Sequence, residues 1–325
     1  MDSNNIDDKY NFLVCGHIYG DHNQSVYPSS SFLANIKAMN NTGAKFFVSL
    51  GDMLRLSNKK HVNIFRDSTS DLDMPIFNSV GNHDVGNRKF YEERFGSTYY
   101  DFSYGTETYI FLDSELLIKE YQDNRDIANE QIKYFELLCK ELLENSKITN
   151  VFIFSHKLIW AVNKPEYQIV YKHSNGPSYS DIKFFSNDIE PLIINLAKKK
   201  SVFWISGDIG AEWSLPIFFE KEKEANITYI AVGIGDTEKD VVLSITIDNS
   251  EVDITPISLT NSEVYSIDHY GVKYWDDYFP GTFFSIIQRV IRVIKSKYFW
   301  AGVIGSLFCF SLILLCFRII KSRKS

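Results

Sequence analysis

Apolar residues along this chain recur in short runs separated by polar and glycine-containing stretches. The runs at 12–15, 46–50, 76–80, 109–112, 151–154, 202–205, 227–232 and 241–247 predict buried strands. Between some of them the apolar spacing is helical. In 127–143, Ile127, Ile132, Phe135, Leu138 and Leu142 share one side, and 182–196 has a similar pattern interrupted by Pro191. Strands alternating with helices predict an α/β arrangement. Later strands follow one another closely, which points to a mixed sheet or two stacked sheets. Residues 255–278 carry no regular pattern and are expected to be an irregular linker.

The pattern changes near the end. Residues 298–317 hold no charge over twenty positions, and Tyr298 and Trp300 mark one end. At a helical rise that length spans about 30 Å, one hydrocarbon core. A single-pass transmembrane helix is therefore expected. A buried core helix is the alternative. In 283–297, Phe283, Phe284, Ile287, Val290, Ile291 and Ile294 fall near helical spacing, with Arg289, Arg292 and Lys295 between them. This predicts an amphipathic helix, lying on a membrane or docked on the body.

Composition refines this picture. Phe and Tyr number 25 and 19, which favours sheet. The net charge of −7 is unevenly distributed: eight of the 34 Lys and Arg, and no Asp or Glu, lie from Arg289 onward. The remaining body is strongly acidic, so a nucleic-acid partner is not expected. The basic residues flank the apolar run, so anionic lipid is the expected partner there. Positive charge is equal on both sides of the run, and 1–9 is polar and acidic, without a secretory leader pattern. The body is accordingly expected on the cytoplasmic side. Four cysteines without a framework pattern fit a reducing compartment. No oligomeric state is legible.

Chemistry-bearing residues cluster where predicted strands end. His17 follows the first run, Gly51-Asp52 the second, Gly81-Asn82-His83-Asp84 the third, Ser155-His156 the fifth and Gly207-Asp208 the sixth. Sites in α/β sheets form beyond the carboxyl ends of strands. Asp, Asn and His converging there make a metal-site pattern, for one ion or two.

The order of these blocks resembles the calcineurin-like metallophosphoesterase family, whose motifs are DxH, GDxxD, GNHD, an isolated His, and GHxH. Gly81-Asn82-His83-Asp84 matches its block in full. The segments Lys89-Phe90-Tyr91, Phe95-Gly96, Tyr99-Tyr100-Asp101-Phe102 and Phe111-Leu112-Asp113-Ser114 follow in the family's order. The resemblance covers roughly 10–250. It implies a four-layer sandwich, two mixed β-sheets flanked by helices, over 10–255. A linker (256–282), the amphipathic segment (283–297), the transmembrane helix (298–317) and a basic tail (318–325) would follow.

The resemblance also implies roles. Asp52 would bridge two ions, and Asn82 and His156 would hold the second. His83, oriented by Asp84, would protonate the leaving oxygen or stabilise the phosphoryl group. The reaction would be hydrolysis of a phosphomonoester, phosphodiester or pyrophosphate near a membrane, by attack of a metal-bound hydroxide. The ion would be manganese, iron, zinc or magnesium.

Three blocks depart from the family. The first reads Cys15-Gly16-His17, the second Gly51-Asp52-Met53-Leu54-Arg55, and the last Gly207-Asp208-Ile209-Gly210. Asp208 keeps an oxygen donor for the second ion, while the first retains His17 and Asp52. Cys15 is either a thiolate ligand or an inert small hydrophobe. Asp21 and His22 are substitute ligands or loop residues. Arg55 and Arg88 are phosphate contacts or surface ion-pair partners. The altered first-ion set leaves a second function open, a binding or scaffold module that has lost the reaction.

Overall fold

A computed structural model describes residues 9–21, 26–123, 125–175, 184–211 and 213–279, with Ile294, Phe299, Trp300 and Ser306 beyond them. The chain divides into two compact units, Met1–Trp275 and Asp276–Ser325.

The first unit is built on two mixed sheets. Its strands are β1 (Lys9–Cys15), β2 (Phe47–Ser49), β3 (Ile76–Asn78), β4 (Tyr100–Tyr104), β5 (Glu107–Phe111), β6 (Asn150–Ser155), β7 (Ser201–Ser206), β8 (Ile217–Lys221), β9 (Ile227–Val232), β10 (Val241–Asp248) and β11 (Glu251–Ser258). One sheet has the order β11-β10-β1-β2-β3 and the other β4-β5-β6-β7-β9-β8. Strands β1, β2 and β3 run parallel, as do β5, β6, β7 and β9. The outer strands β10, β11, β4 and β8 pair antiparallel.

Strand alternation sorts side chains between two cores. Along β1, Tyr10, Phe12 and Val14 face the other sheet, where Phe12 meets Tyr109 and Phe152 edge to face at 5.3 Å. Leu13 and Cys15 point the opposite way, into a cluster with Phe32, Met39, Val62 and Phe65 from helices over the first sheet. On the far side, helix Glu190–Ala197 packs on β7 and against helix Arg125–Glu144. The result is the expected sandwich, with helices outside two packed sheets.

Three strands lie outside the sequence expectation. In β4, Tyr100, Phe102 and Tyr104 alternate with Asp101 and Ser103, a half-buried edge pattern that carries no continuous apolar run. Strand β8 holds only three buried positions before it turns polar. Strand β11 contains Pro256, which an edge strand accommodates because one side of its ladder is unpaired.

Residues 255–278 are more ordered than the expected linker. Strand β11 continues to Ser258, and a short helix spans Val272–Tyr278. Trp275 is fully buried and donates its indole N–H to the Ile217 carbonyl at 2.9 Å. At the other end Lys9, expected in the tail, already belongs to β1 and pairs with Asp248. Pro191 lies in the first turn of helix Glu190–Ala197, directly after a π-helical turn at Phe185–Ile189, so the helical path is irregular at the proline.

Residues 1–8 and His22 lie outside the described residues. So do the expected amphipathic segment 283–297, the apolar segment 298–317 and the tail 318–325, apart from the four isolated positions. Among the described residues, no helix is long and apolar enough to cross a membrane.

Candidate metal centre

The loops that leave β1, β2, β3, β6 and β7 meet at one end of the two sheets. Backbone bonds tie them together: His17 N–H to the Gly51 carbonyl at 3.0 Å, and the Gly207 and Asp208 N–H groups to the His156 carbonyl, each at 3.0 Å. Such close approach needs glycine. A Cβ on Gly81 would lie 2.3 Å from Asp52 Oδ1, and one on Gly51 would lie 2.6 Å from His156 Nδ1. Two site residues adopt the left-handed region at a cost, His17 at φ 60° and Asp52 at φ 55°. Strain of this kind is held by surrounding contacts and clusters at functional sites.

His17, Asp52 and His156 offer ligand atoms that all lie within 4.8 Å of one another. Asp52 Oδ2 is 3.3 Å from His17 Nε2 and 3.5 Å from His156 Nε2. Asp208 Oδ1 is 3.6 Å from each of the same nitrogens. All four side chains are buried. His156 Nδ1 faces the Leu50 carbonyl at 2.9 Å, so its proton belongs there and the Nε2 lone pair is aimed at the carboxylates. The Nε2 atoms of both histidines are buried without a hydrogen-bond partner. Orphaned buried ring nitrogens beside two carboxylates suit a divalent cation, and two imidazoles with two carboxylates make a donor set for a transition ion.

Burial and charge set the protonation here. Burial pushes the Asp52 carboxyl up to about 7 and the His156 imidazole down to about 3. Burial alone would raise Asp208 too, but the adjacent Lys157 ammonium, with His156 and His17, holds it well below the carboxylate range. An ion entering the site must displace the Asp52 proton. Manganese affinity is therefore expected to rise with pH, about tenfold per unit below about 7, and to level off above it. Calorimetric titration at pH 5.5, 6.5 and 7.5 checks this; a flat profile removes Asp52 as the titrating ligand.

Above these donors opens a cleft of about 720 Å³ lined by His17, Tyr19, Asp52, Asn82, His83, Lys157 and Asp208. Asn82 is exposed in it. His83 stands at the rim. Its Nδ1 lies 2.8 Å from the Arg55 carbonyl and its Nε2 faces the Tyr19 hydroxyl at 3.5 Å.

The fold has counterparts among solved structures. No protein-family model and no curated protein matches the sequence. Among solved structures 44 chains match. One is the purple acid phosphatase from yellow lupin (Lupinus luteus) seeds, at TM-score 0.51 and 11% identity over 79% of this chain. The likeness shows a fold shared with that phosphatase. This chain spans about half of that protein, 53% of its length.

Within that fold, several expected roles change. Asp84 does not orient His83. Its carboxylate accepts from the backbone N–H groups of Leu54 (2.8 Å), Gly81 (3.0 Å) and Met53 (3.3 Å), and from the Asn78 amide (3.2 Å). It therefore clamps the second and third loops together, and the Arg55 carbonyl orients His83. Strand alternation turns Cys15 into the helix-side core, where burial raises its thiol pKa and its Sγ faces the Gly16 and Val241 carbonyls. Arg88 pairs with the buried Asp113 and donates to Thr98. The Arg55 guanidinium donates to the Asp21 carbonyl at 3.3 Å. Asp21 itself lines the cleft rim.

Three residues here escaped sequence reasoning. Tyr19, Lys157 and Glu115, whose carboxylate lies 3.9 Å from the Lys157 ammonium, stand next to recognised blocks, but nothing in their local pattern marks them. Lys157 directly follows His156, and that adjacency is the signal that was available.

Proposed function

We propose that this protein is a metal-dependent phosphoric ester hydrolase, acting on a phosphomonoester, phosphodiester or pyrophosphate. One observation carries the reading: the orphaned Nε2 atoms of His17 and His156 converge with Asp52 and Asp208 beneath an open cleft whose rim holds His83. The likeness of fold to a phosphatase adds support.

His17, Asp52, His156 and Asp208 would hold the ion, with Asn82 at its open side. Such an ion supplies Lewis-acid activation and neutralises charge on the phosphoryl group. The chain's own groups do the remainder. With Nδ1–H fixed on the Arg55 carbonyl, a proton carried on His83 Nε2 is directed at the cleft, where a leaving oxygen needs it. The Tyr19 ring, 4.7 Å from that imidazole, limits its rotation. Asp52 Oδ1 accepts the His83 backbone N–H at 3.0 Å, so the metal ligand and the proton donor are held as one unit.

The apolar segment 298–317 and its basic flanks support attachment to a membrane, with a substrate near the lipid surface. Flotation of the full chain with liposomes, with and without that segment, tests the attachment.

A binding module without turnover is the second reading, favoured by the missing donors at Cys15 and Gly210. Hydrolysis of an aryl phosphodiester and monoester with manganese, zinc or iron separates the two. His83→Ala is expected to lower kcat about 10²- to 10⁴-fold while metal content is unchanged. Turnover that survives the substitution removes His83 as the acid. Folded, metal-loaded protein with no turnover on any ester favours the module.

A further inference from the structure

The fold suggests a two-ion site, but these side chains furnish donors for one. Cys15 faces the helix layer, and Gly210 has no side chain. The four buried donors surround a single position between two imidazoles. A second ion about 3.5–4 Å away would need ligands of its own.

A positive group already stands beside that position. Lys157 Nζ lies 2.9 Å from Asp208 Oδ2, the carboxylate oxygen turned away from the histidines, and 3.9 Å from Glu115 Oε1. Its side chain is 9% exposed and lines the cleft floor. The backbone of Lys157 is pinned on both sides: its N–H donates to Ser114 Oγ and its carbonyl accepts from Ser155 Oγ, each at 3.0 Å. An ammonium buried this way is part of the site's construction. Asp208 thus has one oxygen toward the candidate ion and the other on Lys157.

We propose that Lys157 takes the place of a second metal ion, so that the centre consists of one divalent cation and one ammonium sharing Asp208. This rests on the metal-centre reading above. The charge arithmetic agrees. With an ion bound, Asp52 and Asp208 carry two negative charges, which one divalent ion balances, and the Lys157 ammonium sits between Asp208 and Glu115, whose carboxyl burial raises to about 7. A second divalent ion would leave a buried excess of positive charge, which is costly in a poorly solvated interior. The ammonium has three N–H groups and gives one to Asp208; a phosphoryl oxygen in the cleft would accept another. Unlike an ion, Lys157 cannot be lost to a chelator.

The test is metal stoichiometry. Full-length protein in detergent is dialysed to equilibrium against manganese or zinc and analysed for metal, for the native chain, Lys157→Gln, Lys157→Met and Lys157→Arg, with folding checked by circular dichroism. The native chain is expected to hold one ion. The two uncharged variants are expected to bind the ion at least about tenfold more tightly, because a neighbouring positive charge is gone. Lys157→Arg is expected to behave as native. Two ions in the native chain would overturn this inference and leave the metal centre intact. No ion in the folded native chain would overturn the metal centre and this inference with it. One ion at unchanged affinity in a folded uncharged variant would overturn the role of Lys157. If neither uncharged variant folds, the native stoichiometry decides.

Discussion

Asp52→Asn is expected to weaken manganese binding at least about hundredfold and to lower any phosphoesterase turnover about 10³-fold or more. The reason is central position. Asp52 Oδ2 is the acceptor nearest to both orphaned imidazole nitrogens, at 3.3 and 3.5 Å. Asparagine puts a neutral oxygen or an amide N–H there, and one of two facing negative charges disappears. The fold should survive. Asparagine tolerates the left-handed backbone at φ 55°, and its amide oxygen can still accept the His83 N–H. Metal analysis after dialysis, with circular dichroism as a control, measures the effect. Native metal content in the variant would show that the ion, if any, binds elsewhere.

Asp84→Ala is expected to cost about 3–5 kcal/mol of stability. Four donors converge on this fully buried carboxylate, three of them backbone N–H groups from two different loops. Alanine leaves those donors without partners in a place water does not reach. The loops carry Asp52 and His83, so activity should fall as well. Stability separates this clamp from a purely catalytic role. His83 is only half-buried and its side chain makes one close hydrogen bond, to the Arg55 carbonyl, so His83→Ala should change unfolding free energy by about 1 kcal/mol. Urea unfolding of both variants checks the pair. An Asp84→Ala protein as stable as the native chain would return Asp84 to the catalytic machinery.

In sequence, Asp84 stands beside His83, and the family resemblance implies that one orients the other. In space a short 3₁₀ turn begins at Asp84 and carries its carboxylate back over Gly81, away from the imidazole. The carbonyl of Arg55 takes over, and no pattern in a chain identifies a backbone carbonyl as a partner.

Much of the architecture was legible because burial imposes periodicity. Strands β1, β2, β5, β6, β7, β9 and β10 are buried on both faces or nearly so, and they read as continuous apolar runs; β3 is a half-buried edge strand whose apolar run continues to the buried Val80. Strands β4 and β11 lie at sheet edges, where one face or one ladder meets solvent and the signal is diluted by polar residues and proline. The ligand candidates His17, Asp52, His156 and Asp208 were legible for a related reason. Parallel strands deliver their carboxyl ends to one side of a sheet, so polar residues just past those ends must meet.

The sequence alone determined the sheet-rich α/β body, the strand-end donors, the intact Gly81-Asn82-His83-Asp84 block and the uncharged stretch near the end, since each depends on residue type and local spacing. Only the tertiary structure decided which face Cys15 takes, that Asp84 clamps loops, that Arg88 pairs with Asp113, and that Lys157 sits on Asp208. Those outcomes depend on which atoms packing brings together across 51 positions of chain, in the case of Lys157 and Asp208, and local pattern carries no information over that distance.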